Sequence, residues 1–292
     1  MRALRDFAHE LIAQVRRDRT LDLAAQFAYW SLLAFFPFCI FLLTLIGYIP
    51  LHGLDRVVVG LIDRVMPAQA AAAFDKTLHE VVGRQRGWLL IVSLAGALWS
   101  ATGGMSSTLT ALNRAYAVEE TRPWWRRKVL CTAMTAGGAL LMIVATIAAM
   151  IGPGLIHRVW IFFDAGGDFF LLWRWARWPI VIVALMLALA LVYHFLPNVK
   201  QPFRVFTPGA AFAIIAWVAI SGAFNLYVSH FKSYAKTYGT LGAAVVLLTW
   251  LYLTGLAIIL GGEINAVVER RKKRVAVVER ERAEESAAEP TS

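Results

Sequence analysis

Charge is scarce in this chain and unevenly spread. Asp, Glu, Lys and Arg make up 16% of its 292 residues, and residues 208–228 contain none of them. A soluble domain carries nearer a quarter, so an ordinary water-facing surface is excluded. Cysteine is almost absent. Cys39 and Cys131 fall in or beside apolar runs, where neither can staple an extracellular loop, so no disulfide framework or redox motif is available. Histidine is sparse and dispersed: His9, His52, His79, His157, His194 and His230 form no His-x-His or His-Glu-x-x-His pattern, so the familiar spacings of a catalytic metal site are missing. The first 23 residues carry too much charge for a secretory leader, and no short apolar region with a small-residue cleavage site follows them.

What is present is apolar bulk. The chain is 59% hydrophobic, with 11 Trp and 17 Phe. Runs of 18 or more apolar residues mark membrane-spanning helices, since about 20 residues rising roughly 1.5 Å each cross a hydrocarbon core of about 30 Å. Only helices hold such runs in lipid, because each backbone group must find its partner within the segment. Six spans are expected, over 24–48, 88–112, 129–151, 179–196, 208–228 and 241–268, the last containing Glu263 as its one charge. The fold class is therefore all-α, a polytopic membrane protein with six transmembrane helices and additional interfacial amphipathic helices.

Several features refine this layout. In residues 1–23, Leu4, Phe7, Ala8, Leu11, Ile12 and Val15 recur at three- and four-residue spacing; this predicts an amphipathic helix lying along the membrane surface, with packing against a soluble partner as the alternative. Pro37 is expected to kink the first span. Two short stripes, Leu54 to Val65 and Phe74 to Val82, are placed flat on the far surface. Gly96, Ser100, Gly104 and Thr108 fall four apart, a small-residue ladder that lets another helix approach closely. Trp124 and Trp125, followed by Arg126, Arg127 and Lys128, read as an interfacial anchor. A polar turn is expected over 229–238, and the tail 269–292 is basic through Arg274 and then expected to be disordered.

Six spans put both termini on one side, and that side holds nineteen of the 29 Lys and Arg residues. The excess marks it as cytoplasmic. The net charge of +10 is thus topological: no nucleic-acid partner is expected, and the basic tail suits anionic lipid headgroups.

Residues 24–37 (AAQFAYWSLLAFFP), Leu98 to Gly104 running on to Asn113-Arg-Ala-Tyr116, Phe195 to Lys200, Asn225 to Ser229, Tyr238 to Gly242 and Gly262 to Ala266 together resemble the YihY/virulence factor BrkB family of bacterial inner-membrane proteins. The likeness covers about residues 20–270. It implies a six-helix protein of the bacterial inner membrane. Activities put forward for members include solute export, handling of envelope lipids or lipopolysaccharide precursors, and serum resistance, and members were once labelled ribonuclease BN.

The ribonuclease label finds no support in the residues. Metal-dependent RNA hydrolysis needs clustered His, Asp or Glu ligands, and the loops are too short for a catalytic domain, so no enzymatic activity and no cofactor are expected. Transport or export of a small polar solute or envelope precursor is the leading expectation, because polar groups retained inside a bundle are costly and mark pathways. The alternative is a non-transporting envelope, lipid-interaction or assembly factor. Helix rise places Gln26, Asn113, Arg114, Glu263 and Asn265 at a similar depth near the cytoplasmic face, with Glu263 close to water and able to pair with Arg114. Ser221, Asn225 and Ser229 share a face of the fifth span, and Asn225, Lys232 and Tyr238 form an outer group. Each group reads either as a pathway or as a lock between helices.

Overall fold

The computed structural model describes residues 2–48, 87–150, 168–230 and 232–288. Among them there are seven helices and no strand: α1 (Arg2–Asp18), α2 (Thr20–Tyr48), α3 (Gly87–Ala115), α4 (Trp124–Met150), α5 (Asp168–Phe195), α6 (Pro208–His230) and α7 (Lys232–Ala288). Six of these, α2 to α7, are long and apolar enough to cross a membrane. The two expected far-surface stripes and the Gly152-Pro-Gly154 turn lie outside the described residues.

Helix α1 joins α2 through Arg19 alone, which adopts a left-handed backbone with φ 56°. Such a conformation costs a non-glycine residue about 1–2 kcal/mol, and hydrogen bonds from the Asp22 and Leu23 amides to the Arg19 carbonyl hold it. Ala117 repeats the device with φ 54° at the end of α3. Its amide bonds the Arg114 carbonyl and the Val118 amide bonds the Asn113 carbonyl, a Schellman motif at a position where glycine is usual.

Helix α3 is central, packed against α2, α4 and α7. The small-residue ladder does meet another helix: a Cβ on Gly104 would stand 3.6 Å from Phe27 and Ser31, and one on Gly96 3.5 Å from Pro37, all on α2. Gly103, one residue off the ladder, is tighter still, since any side chain there would overlap the Trp30 ring. Gly255 faces Phe27 in the same way. Where α6 crosses α7, a Cβ on Gly209 would collide with the Gly261 carbonyl, so the two backbones meet without intervening side chains. Small residues permit that approach in lipid, where van der Waals packing replaces the hydrophobic drive.

Buried apolar side chains gather at one end of the bundle. Leu109, Leu112, Cys131, Tyr193, Leu196 and Ala210 form one cluster, and Leu23, Ala24, Ala111 and Ile259 a second. This end, the base of the bundle, also carries α1 and the extension of α7.

Several boundaries differ from expectation. Helix α5 begins at Asp168 rather than at 179, with Pro179 inside it, and α2 begins at Thr20 rather than 24. Helix α4 begins at Trp124, so the Trp-Trp-Arg-Arg-Lys anchor is its first turns rather than a loop. Helix α7 is under way by Lys232, so most of the expected 229–238 turn is helical. The tail beyond Arg274 was expected to be disordered, yet α7 continues unbroken to Ala288. No Gly or Pro interrupts residues 263–288, and Ala, Glu, Arg and Lys are strong helix formers. Helix α1 lies against α7 of the same chain, a packing that neither reading of its stripe included, with Phe7, Glu10, Leu11, Gln14 and Asp18 turned inward to varying degrees and Ile12 exposed.

Candidate functional site

The polar residues of the base divide into three networks. The first surrounds Glu263, which has 0% exposure. It was expected close to water; instead α1 closes over it, because the short Arg19 turn folds α1 back across the ends of α2, α3 and α7. Thr20 donates to Oε1 of Glu263 at 2.9 Å, and the side-chain amide of Gln14 donates to Oε2. The same Gln14 nitrogen donates to the Ala115 carbonyl at 3.1 Å, and the Gln14 oxygen accepts from Arg270. Gln14 therefore couples a carboxylate to a guanidinium two helical turns further along α7, and these partners fix which way its amide points. Arg114, expected as a partner for Glu263, instead donates to the Asp18 carbonyl at 3.0 Å, tying α3 to the end of α1. Beyond this network, Arg271 pairs with Glu10 at 3.0 Å and lies over the Phe7 ring.

Two buried asparagines organise the others. Asn265 accepts from the Gly209 amide at 2.8 Å and donates to Thr207 Oγ1 at 3.1 Å. Thr207 in turn accepts from the Ala210 amide, so the first turn of α6 is capped by Thr207 together with a side chain of α7. Asn113 accepts from the Asn198 amide and donates to Glu120, both at 2.8 Å. Asn198 donates to Thr121 Oγ1 and to the Glu119 carbonyl. Arg122 donates to the carbonyls of Leu196 and Pro197 at 3.0 and 3.1 Å, using its fork to take two adjacent acceptors. The α3–α4 and α5–α6 connections are thus clasped together.

Gln26 does not join these networks. It is exposed and lines a groove of about 300 Å³ between α2, α3 and α4. Ser221 accepts from the Trp250 indole at 3.3 Å, linking α6 to α7, while Asn225 is exposed. The side chains of Ser229, Lys232 and Tyr238 lie outside the described residues, so the outer group is represented by Asn225 alone. A second cavity, of about 140 Å³, opens at the base beside Tyr116, Gln201, Arg204 and Lys272. Burial pushes the Tyr116 phenol up to about 12, so it stays neutral there. Among the described residues, no three His, Cys, Asp or Glu side chains are grouped so as to hold a metal ion.

Sequence reasoning missed Gln14, Asp18, Thr20, Arg122, Asn198 and Arg270. One signal was available for the first two: Gln14 and Asp18 continue the three- and four-residue spacing of Phe7 and Leu11, so polar groups sit on the face that α1 buries.

The family described as "Virulence factor BrkB" matches residues 11–288. The chain is 36% identical over 267 residues to a Bacillus subtilis protein named ribonuclease-like protein YfkH, covering 91% of this chain and 96% of that one. It is 28% identical over 271 residues to a UPF0761 membrane protein of Alkalilimnicola ehrlichii, and 27% identical over 265 residues to one of Halorhodospira halophila. These alignments cover 91% and 89% of this chain but only 58% and 56% of those relatives, so the chain spans just over half their length. No solved structure matches. With the match running from within α1 to the last turn of α7, and six apolar helices between, the chain belongs to the virulence factor BrkB family of membrane proteins.

Proposed function

We propose that this protein is a multi-pass protein of the bacterial inner membrane, with both termini cytoplasmic, that transports or exports a small polar solute or an envelope precursor. The observation that carries the reading is Glu263, an ionisable side chain with no solvent exposure inside a membrane bundle. Burying a carboxylate costs several kcal/mol even after relaxation, and ionisable groups kept within membrane segments mark pathways and coupling sites. In this reading the Glu263–Gln14–Arg270 network closes the cytoplasmic end of the bundle, and α1 is the element that releases or seals it. The excess of Lys and Arg on the side of the termini supports the orientation.

Purified protein in proteoliposomes, offered a panel of polar solutes and envelope lipid precursors, tests the proposal. Glu263→Gln is expected to abolish flux in protein that still elutes as a single folded species. Protein-dependent flux unchanged by the substitution makes Glu263 purely structural, and no flux for any compound counts against transport.

A second reading, a non-transporting lipid-interaction or assembly factor, has one observation in its favour. The polar atoms of the base largely satisfy one another, as a lock between helices would. Specific lipid co-purification without flux is its expected signature. Neither reading includes nuclease chemistry, and the ribonuclease-like name of the Bacillus relative is tested by incubating purified protein with tRNA, which is expected to remain intact.

A further inference from the structure

The groove between α2, α3 and α4 has a defined register. Helices α3 and α4 are antiparallel neighbours, and the Thr102 and Thr132 hydroxyls meet at 3.3 Å. One helical turn towards the base, Ser106 is therefore level with Lys128, and one turn further Thr110 is level with Trp124. The groove thus has a hydroxyl-bearing floor supplied by α3 and a cationic and aromatic wall supplied by α4, with Gln26 and Trp30 of α2 opposite. Lys128 extends to within 5.9 Å of the Trp99 ring, and Arg127 lines the same space. Trp99 and Trp124 are 61% and 77% exposed, so the groove opens on the bundle surface where lipid lies.

The hydrogen-bonding capacity of the floor is directional. Thr110 spends its proton on the Ser106 carbonyl and Ser107 on the Gly103 carbonyl, so each hydroxyl oxygen is left as an acceptor. Cations on one wall and acceptors on the floor complement an anion that carries hydroxyl donors. Aromatic rings at the mouth suit the junction of headgroup and acyl chain.

We propose that this groove is a binding site for an acidic phospholipid of the adjoining leaflet, its phosphate held by Arg127 and Lys128 and a headgroup hydroxyl donated to the Ser106–Thr110 floor. The site does not depend on transport and stands under either functional reading.

Native mass spectrometry of the full chain, titrated with phosphatidylglycerol or phosphatidylcholine, tests it. Phosphatidylglycerol is expected to bind at least tenfold more tightly. Arg127→Gln with Lys128→Gln should weaken it roughly 30-fold, from about 1 kcal/mol per basic residue near a lipid surface, while Arg126→Gln, over the neighbouring Trp125 ring, should change it less than twofold. Ser106→Trp, which fills the groove without changing charge, should give a similar loss. Phosphatidylglycerol binding that survives both the double variant and Ser106→Trp overturns the proposal. Displacement of the lipid by millimolar inorganic phosphate shows a free-anion site and overturns it. A dimer that both variants dissociate makes the groove an interface between copies and also overturns it.

Discussion

The Glu263 junction and the α2–α3–α4 groove both gather polar and charged side chains within the same end of the bundle, yet they satisfy them in opposite ways. At the junction, the carboxylate, the Gln14 amide, the Thr20 hydroxyl and Arg270 are partners of one another, with the Arg270 Nε the one buried donor left over. In the groove, the Thr110 and Ser107 protons are spent on their own helix and the cations face outward. A network closed on itself stores its interaction energy in the fold, whereas one left open holds it for a ligand. Charge content alone does not separate the two cases; the destination of each donor does.

That comparison can be broken by substitution. Glu263→Ala should have the largest effect, lowering stability by about 3–5 kcal/mol, because it strands buried Gln14 and Thr20 donors and leaves Arg270 without its coupled carboxylate. Reversible unfolding in mixed micelles measures this, and a loss below about 1 kcal/mol would show that the junction is not a closed network. Arg122→Ala comes next, at about 1.5–3 kcal/mol, from two hydrogen bonds donated by a charged group to the Leu196 and Pro197 carbonyls. Its signature should be earlier proteolysis of the 196–207 connection. Ala117→Gly is expected to stabilise by about 0.5–1 kcal/mol, since glycine relieves the left-handed backbone at φ 54° while adding freedom to the unfolded chain. Lys128→Gln should sit at the bottom of the series, within about 0.5 kcal/mol, while still weakening acidic-lipid binding. A large stability loss there would mean that the groove is as closed as the junction.

The spans were legible because hydrophobic length in lipid leaves only one structural outcome, and the Gly96–Thr108 ladder announced its helix contact by spacing alone. The site was legible in parts. Depth along each helix placed Asn113, Glu263 and Asn265 near one end, but depth carries no angular information about neighbouring helices. Asn113 turned towards Asn198 and Asn265 towards Gly209, while Gln26 faced the groove. The burial of Glu263 was hidden because it depends on α1, a segment outside the spans whose return path is set by the backbone of a single residue, Arg19. The tail was misjudged for a different reason: charge and low hydrophobicity argue for disorder, but the same Glu, Arg and Ala residues extend a helix already nucleated by a packed span, which removes the cost of starting one.

That continuity gives α7 a mechanical character. As one helix of 57 residues, it is about 85 Å long, nearly three times the thickness of a hydrocarbon core. Residues 272–288, beyond the contact of Arg271 with Glu10, reach roughly 25 Å past the point where α1 grips it. Any tilt of the membrane segment is therefore carried without a joint to the end of the extension, and α1, held by Gln14 and Glu10, is positioned as the bearing against which such a lever would turn.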